Sequence, residues 1–139
     1  MSREEVEQSD YERLLAFRNA LRRFLHWSGE QAEQAGLTPA QHQLLLAIRG
    51  HSESESPSIG DLAESLLLRH HSVVGLIDRA ESSGLVNRRR DDLDGRIVRV
   101  DLTPDGAKRL ALLTSIHLAE INGLAAVLDT FKISSGSDT

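Results

Sequence analysis

"SIGDLAESLLLRHHSVVGLIDRAESSGLVNRRRDDLDGRIVRVDLTPDG", residues 58–106, decides how the rest of this 139-residue chain is read. Its opening residues carry a short helical pattern in which Ser58 caps and Leu62, Ala63 and Leu66 face inward. After a brief turn, Val73, Leu76, Ile77 and Ala80 recur at helical spacing on one face. Gly84 stands where the end of that helix favours a left-handed residue. The opposite face carries His70, His71, Val74, Gly75 and Asp78. Then the period changes. Val86–Arg88 and Ile97–Leu102 read as strands, the second alternating at period two, and the Asp94-Gly95 dipeptide between them signals a hairpin.

The flanks are helical. Residues 11–35 place Leu14, Phe17, Leu21 and Phe24 at spacings of three and four, with Leu15 and Leu25 widening the stripe and Gly36 as the stop. "LTPAQHQLLLAIRGH" opens a second helix: Thr38 caps, Pro39 suits the first helical position, and Gln41 completes a capping box. Leu44, Leu45 and Ile48 form its buried side, and Gly50 ends it. "HSESESP" is a polar loop. Beyond the hairpin, Thr103-Pro104-Asp105 caps a last helix striped by Leu110, Leu113, Ile121, Leu124, Leu128 and Phe131, with His117 on the same line. The tail "SSGSDT" is disordered by composition.

Composition narrows the function. Net charge is −5, which argues against a non-specific nucleic-acid coat. Between Leu66 and Val100, however, seven arginines (69, 79, 88, 89, 90, 96, 99) face five acids (78, 81, 91, 92, 94), so this segment is +2. A phosphate backbone senses charge only within a Debye length of about 10 Å. The acidic total therefore leaves DNA open. With no cysteine, disulfides, thiolate metal sites and thiol redox sensing are excluded. The absence of a signal-like N-terminus or long apolar run predicts a soluble, cytoplasmic protein with no membrane partner.

A short helix joined by a tight turn to a second helix is a helix-turn-helix arrangement, in which the second helix enters the major groove. A hairpin directly after it makes a winged helix. The expected fold is mainly α with a small β-hairpin wing (α+β), flanked by long N- and C-terminal helices. A groove about 12 Å wide admits one helix. A thin ribbon with an arginine at its tip reaches the narrower minor groove, where A/T-rich sequence enhances the negative potential. On this reading Arg88, Arg89 and Arg90 line the approach of the wing to the phosphates.

Residues 58–106 resemble the DNA-binding core of the MarR family of transcriptional regulators. The likeness rests on a leucine-alanine-rich helix, a helix ending in Gly84-Leu85-Val86, an acidic wing with Asp94-Gly95-Arg96, and the Leu102-Thr103-x-x-Gly106 helix start. It implies a homodimer whose first and last helices intertwine, each lobe binding half of a near-palindromic operator. Residues 1–36 and 104–139 would then be dimerisation segments and 37–103 the DNA-binding lobe. By position, it implies that His70, His71, Ser72, Val74 and Gly75 face the major groove, with Arg69 and Arg79 among the DNA contacts. Arg96 is the wing-tip arginine, Asp94 braces it by a charge-assisted bond, and Arg88 falls at the base of the wing. Gly75 departs from the larger polar residue common at its position. Val74 replaces a hydroxyl residue and suits a thymine methyl. The chain after the wing is short, which leaves open one closing helix or two.

Blander roles compete with these. His70 and His71 could be solvent-exposed turn residues, and Asp94 only a turn former. His117 is either a hydrogen-bonded core residue or a group lining a pocket. Since effectors in the resembling family bind between the dimer helices and the winged lobe, His26, Trp27, His42 and His117 are candidates for a small-molecule site. The histidines show neither HExxH nor paired spacing, so no metal is expected, and no cofactor. No nucleophile–base pair or phosphate-cradling loop suggests an enzyme. The expected function is a dimeric, ligand-responsive DNA-binding repressor. The alternative is a winged-helix protein-interaction module that does not touch DNA, for which the acidic net charge speaks.

Overall fold

The computed structural model describes residues 5–129. Their order is α1 (Gln8–Gln34), α2 (Pro39–Arg49), α3 (Ile59–Leu66), α4 (His70–Ser82), β1 (Val86–Arg90), β2 (Val98–Leu102) and α5 (Pro104–Asp129). Five helices and a two-stranded antiparallel hairpin are the predicted architecture. The closing segment is a single 26-residue helix over its described length. Phe131, the 134–139 tail and the side chain of Leu128 lie outside the described residues.

Local chemistry sets the boundaries. Thr38 Oγ1 accepts from the Gln41 backbone N–H at 3.1 Å, and Gln41 Oε1 accepts in return from the Thr38 N–H at 3.0 Å. Ser58 and Asp61 form the same reciprocal box at the start of α3. α1 begins three residues earlier than its apolar stripe predicts, because Asp10 reaches back to the Glu7 N–H at 2.9 Å and extends the helix through polar residues. Gly84 adopts φ +74 after α4, the left-handed conformation that the sequence calls for.

The core is one cluster inside the lobe. Leu44 and Leu45 of α2, Leu62 of α3, Val73 and Ile77 of α4, Val86 and Val100 of the hairpin and Leu113 of α5 are all buried. Leu85 joins them, and α5 is seated directly against it. A Cβ on Gly106 would fall 2.2 Å from the Leu85 carbonyl oxygen, so only glycine allows this approach. Thr103 completes the joint: its hydroxyl donates to the Gly84 carbonyl at 2.7 Å and accepts from the Gly106 N–H at 3.0 Å. The last helix is thereby fixed to the end of α4.

The hairpin pairs Val86 with Leu102, Arg88 with Val100 and Arg90 with Val98. Seven residues, 91–97, therefore form its tip, and Asp94-Gly95 is not the two-residue turn that the dipeptide suggests. Gly95 has no positive φ among the described residues, and the Asp91 carboxylate organises a longer loop instead. β1 also extends further than predicted, taking in Arg89 and Arg90. On the far edge of β2, the Val100 N–H donates to the Pro57 carbonyl at 3.0 Å, which ties the wing to the segment before α3.

α1 contributes little to this core. Ala32 alone among its residues is fully buried, whereas Tyr11, Leu14, Leu15 and Leu25 are exposed, as are Leu112, Leu118 and Ile121 of α5.

Candidate nucleic-acid interface

α4 divides by face. Val73, Leu76, Ile77 and Ala80 bury it in the lobe, while His70, His71 and Ser72 in its first turn are exposed and Val74 and Gly75 are half-buried. The exposed Arg69 is the N-cap residue. Gly75 leaves room for an arginine: a Cβ built there would sit 3.4 Å from a guanidinium nitrogen of Arg79, which folds back along the helix. A cleft of about 490 Å³ separates the start of α4 from the wing and is bordered by Ser58, Gly60, Asp61, His70, Arg96 and Arg99.

The wing tip carries Arg96 outward, its side chain 91% exposed. Asp94 grips the guanidinium with both oxygens, Oδ1 to Nε at 3.0 Å and Oδ2 to Nη2 at 3.1 Å. This bidentate bond raises the Arg96 pKa and lowers that of Asp94. Of the five guanidinium N–H donors, this pair uses two.

The other arginines divide into two sets. Arg88 is bound by Asp78 and by Glu81, Arg89 Nε by Asp101 at 2.8 Å, and Arg99 Nε by Asp91 at 2.7 Å and Glu55 at 2.8 Å. Arg90 donates to the Gly95 carbonyl at 3.0 Å, inside the wing. No carboxylate pairs with Arg69, Arg79 or Arg90 among the described residues. Arg88 and Arg89 are thus each paired with carboxylates in the free chain. Sequence reasoning did not separate Arg88 and Arg89 from Arg90, because the contacts that pair the first two with carboxylates cross between elements. It also missed Asp91, which nothing in the run Arg90-Asp91-Asp92-Leu93-Asp94 distinguishes from its neighbours.

The small-molecule candidates separate as well. Trp27 and His117 have ring centroids 4.9 Å apart, as do His42 and His117, and Phe24 meets His117 edge-on at 6.1 Å. His117 Nδ1 lies 2.7 Å from the Leu113 carbonyl, which only accepts, so Nδ1 carries the proton. Nε2, 2.7 Å from Ser28 Oγ, then accepts from that hydroxyl while the ring is neutral. Burial lowers the His42 pKa, and the neighbouring His117 lowers it further. His26 stands apart: its ring is exposed and pairs with Glu30 at 2.9 Å, so it does not join the cluster expected of it. No group of three or more His, Asp or Glu is placed to hold a metal among the described residues, and none of their helices is long and apolar enough to cross a membrane.

The MarR family model matches residues 35–97, from the end of α1 to the tip of the wing. The transcriptional activatory protein BadR of Rhodopseudomonas palustris is 32% identical over 116 residues, which span 83% of this chain and 65% of BadR. Over residues 35–97 the chain is similar to the MarR family. The transcriptional repressor MdtR of Bacillus subtilis is 28% identical over 79% of this chain and 76% of its own length. Among solved structures, the MepR–DNA complex of Staphylococcus aureus superposes with a TM-score of 0.70 at 24% identity, covering 88% of this chain and 85% of MepR. That likeness shows a shared fold. These relatives are regulators of transcription, not enzymes.

Proposed function

We propose that this chain acts as a dimer that binds a near-palindromic operator and regulates transcription from it. α4 enters the major groove with His70, His71, Ser72, Val74 and Gly75 toward the bases, and the wing sets Arg96 in the minor groove. The observation that carries this reading is the arrangement of the lobe. Among the described residues the first turn of α4 is left exposed at His70, His71 and Ser72, and a 91% exposed guanidinium projects beside it on a ribbon thin enough for the narrower groove.

Within that reading the arginines differ in role. Arg69, Arg79 and Arg90 meet phosphates; Arg88 and Arg89 hold the scaffold; Asp94 fixes the direction of Arg96. The exposed apolar residues of α1 and α5 form the dimer surface, since Leu14, Leu15, Leu25 and Leu118 are left exposed among the described residues. On this reading residues 1–36 and 104–139 are the dimerisation segments and 37–103 the DNA-binding lobe. The Trp27–His42–His117 cluster, where α1, α2 and α5 meet, is the place for a small-molecule effector. Repression follows if the dimer occludes a promoter. MdtR is named a repressor and BadR an activatory protein, so the sign depends on where the operator lies. A role on the chromosome places the protein in the cytoplasm.

The test is selection of bound sequences from a random duplex pool, followed by affinity measurements across salt. Enrichment of an inverted repeat with half-site centres about 10–10.5 base pairs apart supports the reading. So does a log–log salt slope of roughly −0.9 per phosphate contacted. No enrichment and no salt-dependent binding would instead favour a winged-helix module that binds protein.

A further inference from the structure

Resting on that reading of function, we propose that Asp91 is the positioning residue of the wing tip, fixing the loop that carries Asp94 and Arg96 and tying it through Arg99 to the segment before α3. Strand pairing ends at Arg90 and Val98, so no cross-strand ladder orders residues 91–97. Asp91 replaces it. Its backbone N–H donates to the Ile97 carbonyl at 2.9 Å. Oδ2 accepts from the Leu93 N–H at 3.1 Å and the Asp94 N–H at 2.9 Å, while Oδ1 accepts from Arg99 Nε at 2.7 Å.

The chain of contacts runs in both directions from this carboxylate. Outward, the residue whose N–H Asp91 holds is Asp94, and Asp94 in turn grips the Arg96 guanidinium and accepts from the Arg96 N–H. Inward, Arg99 Nη1 donates to the Ser56 carbonyl at 2.9 Å, so the tip is anchored to the body of the lobe. The Asp91 side chain is only 8% exposed, while Leu93 beside it is 95% exposed: the carboxylate is inside the tip and the apolar side chain outside. The Arg99 guanidinium, with the Asp94 and Leu93 amides, holds the Asp91 pKa down to about 2, so the anchor stays charged wherever the protein is folded at neutral pH.

A loop ordered before binding does not have to be ordered by the DNA. With its side chain only 8% exposed, Asp91 presents little surface to a base, and on this proposal its effect on recognition passes through Arg96. That distinguishes it from a residue that merely stabilises the lobe.

The experiment is a double-mutant cycle on the operator recovered from the random pool, in versions with A/T-rich and G/C-rich flanks under the wing. Wild type, Asp91→Ala, Arg96→Ala and the double variant are compared, with hydrogen exchange of the wing amides measured on each protein. Asp91→Ala is expected to weaken binding to the A/T-flanked site roughly 5- to 20-fold and to the G/C-flanked site less than about twofold. The double variant should match Arg96→Ala within about twofold. Exchange at Leu93 and Asp94 should quicken at least about tenfold while the amides of α4 keep their protection. Wild-type affinity in Asp91→Ala overturns the proposal, as do losses that multiply in the double variant. If Asp91→Ala lowers protection throughout the lobe, Asp91→Asn replaces it in the cycle, keeping one acceptor and the side-chain volume, and the same outcomes decide. Absence of duplex binding by the wild-type chain would overturn the reading of function itself, a result separable from failure of the Asp91 role.

Discussion

Arg88 is held twice by Glu81: its backbone N–H donates to Oε2 at 3.0 Å, and its guanidinium donates to Oε1 at 3.1 Å. The same guanidinium also binds Asp78, one turn earlier on α4. The Glu81 pKa is lowered and that of Arg88 raised by these bonds. The first strand of the wing is therefore clamped to the last turns of the helix proposed to read the major groove, and the angle between the two is a property of this clamp.

Arg88→Ala should accordingly behave as a scaffold variant rather than a phosphate-contact variant. The side chains involved are partly solvent-exposed, so the loss of folding stability is small, about 0.5–1 kcal/mol. Operator affinity falls on every sequence with the salt slope unchanged. Arg90→Ala, by contrast, should reduce the slope by about 1. Salt titrations of the two variants on the same duplex check the distinction, and equal slope changes would return Arg88 to the DNA-contacting set.

The helices, the hairpin and the buried face of α4 were legible because each rests on local signals: the Thr38 and Ser58 caps, the left-handed Gly84, and the alternation from Ile97 to Leu102. What escaped was long-range pairing between charged residues. Nothing local to Arg88 announces Asp78 and Glu81, and nothing local to Arg99 announces Glu55, which lies 44 positions away. The turn was misjudged for a related reason. Asp94-Gly95 favours a tight hairpin, but an aspartate three residues earlier accepts two loop N–H groups and an arginine at once, and that outweighs the dipeptide's preference. His26 and His117 were grouped as candidates for one small-molecule site, yet His26 faces solvent beside Glu30 and His117 packs against Trp27.

His42 makes stability depend on pH in a defined direction. Its folded pKa lies below the ordinary 6.5, because burial and His117 both disfavour the charged ring. The unfolded chain therefore binds the extra proton first. The contribution of His42 is fully present above about pH 6.5 and is lost as pH falls from there towards the depressed folded value. Denaturation midpoints should drop as pH falls below about 6.5, and His42→Phe should flatten that drop. Trp27, the chain's one tryptophan, lies 4.9 Å from His117 and reports the opening of the cluster by its emission. A midpoint that rises on acidification would contradict the assignment.

Leu67 occupies the turn between α3 and α4 with φ 55 and ψ 41, a left-handed conformation costly for a side chain with a Cβ, and it is 91% exposed. It buries almost nothing in return. Leu67→Gly should relieve the backbone, offset in part by the greater freedom of glycine in the unfolded chain, for a net gain of about 0.5–1 kcal/mol. The expected readout is a Tm higher by roughly 2–6 °C with operator affinity unchanged. A loss of operator affinity would show instead that Leu67 itself meets the DNA or holds α4 in register for it.

The uncovered residues of the long helices give the last prediction. Leu14 and Leu25 lie eleven positions apart on one face of α1, 59% and 62% exposed in a single chain, so replacing them removes little packing from the isolated chain. In a dimer, a glutamate at either place would face an apolar partner surface without water or a counter-charge. Sedimentation at micromolar concentration should therefore give a two-chain mass for the wild type and a one-chain mass for Leu14→Glu/Leu25→Glu, with helical circular dichroism retained. Operator affinity should fall at the same time, because two half-sites are then bound by separate molecules instead of one. A wild-type protein that sediments as one chain, or a double variant that still sediments as two, would remove α1 from the dimer surface and with it the spacing expected of the half-sites.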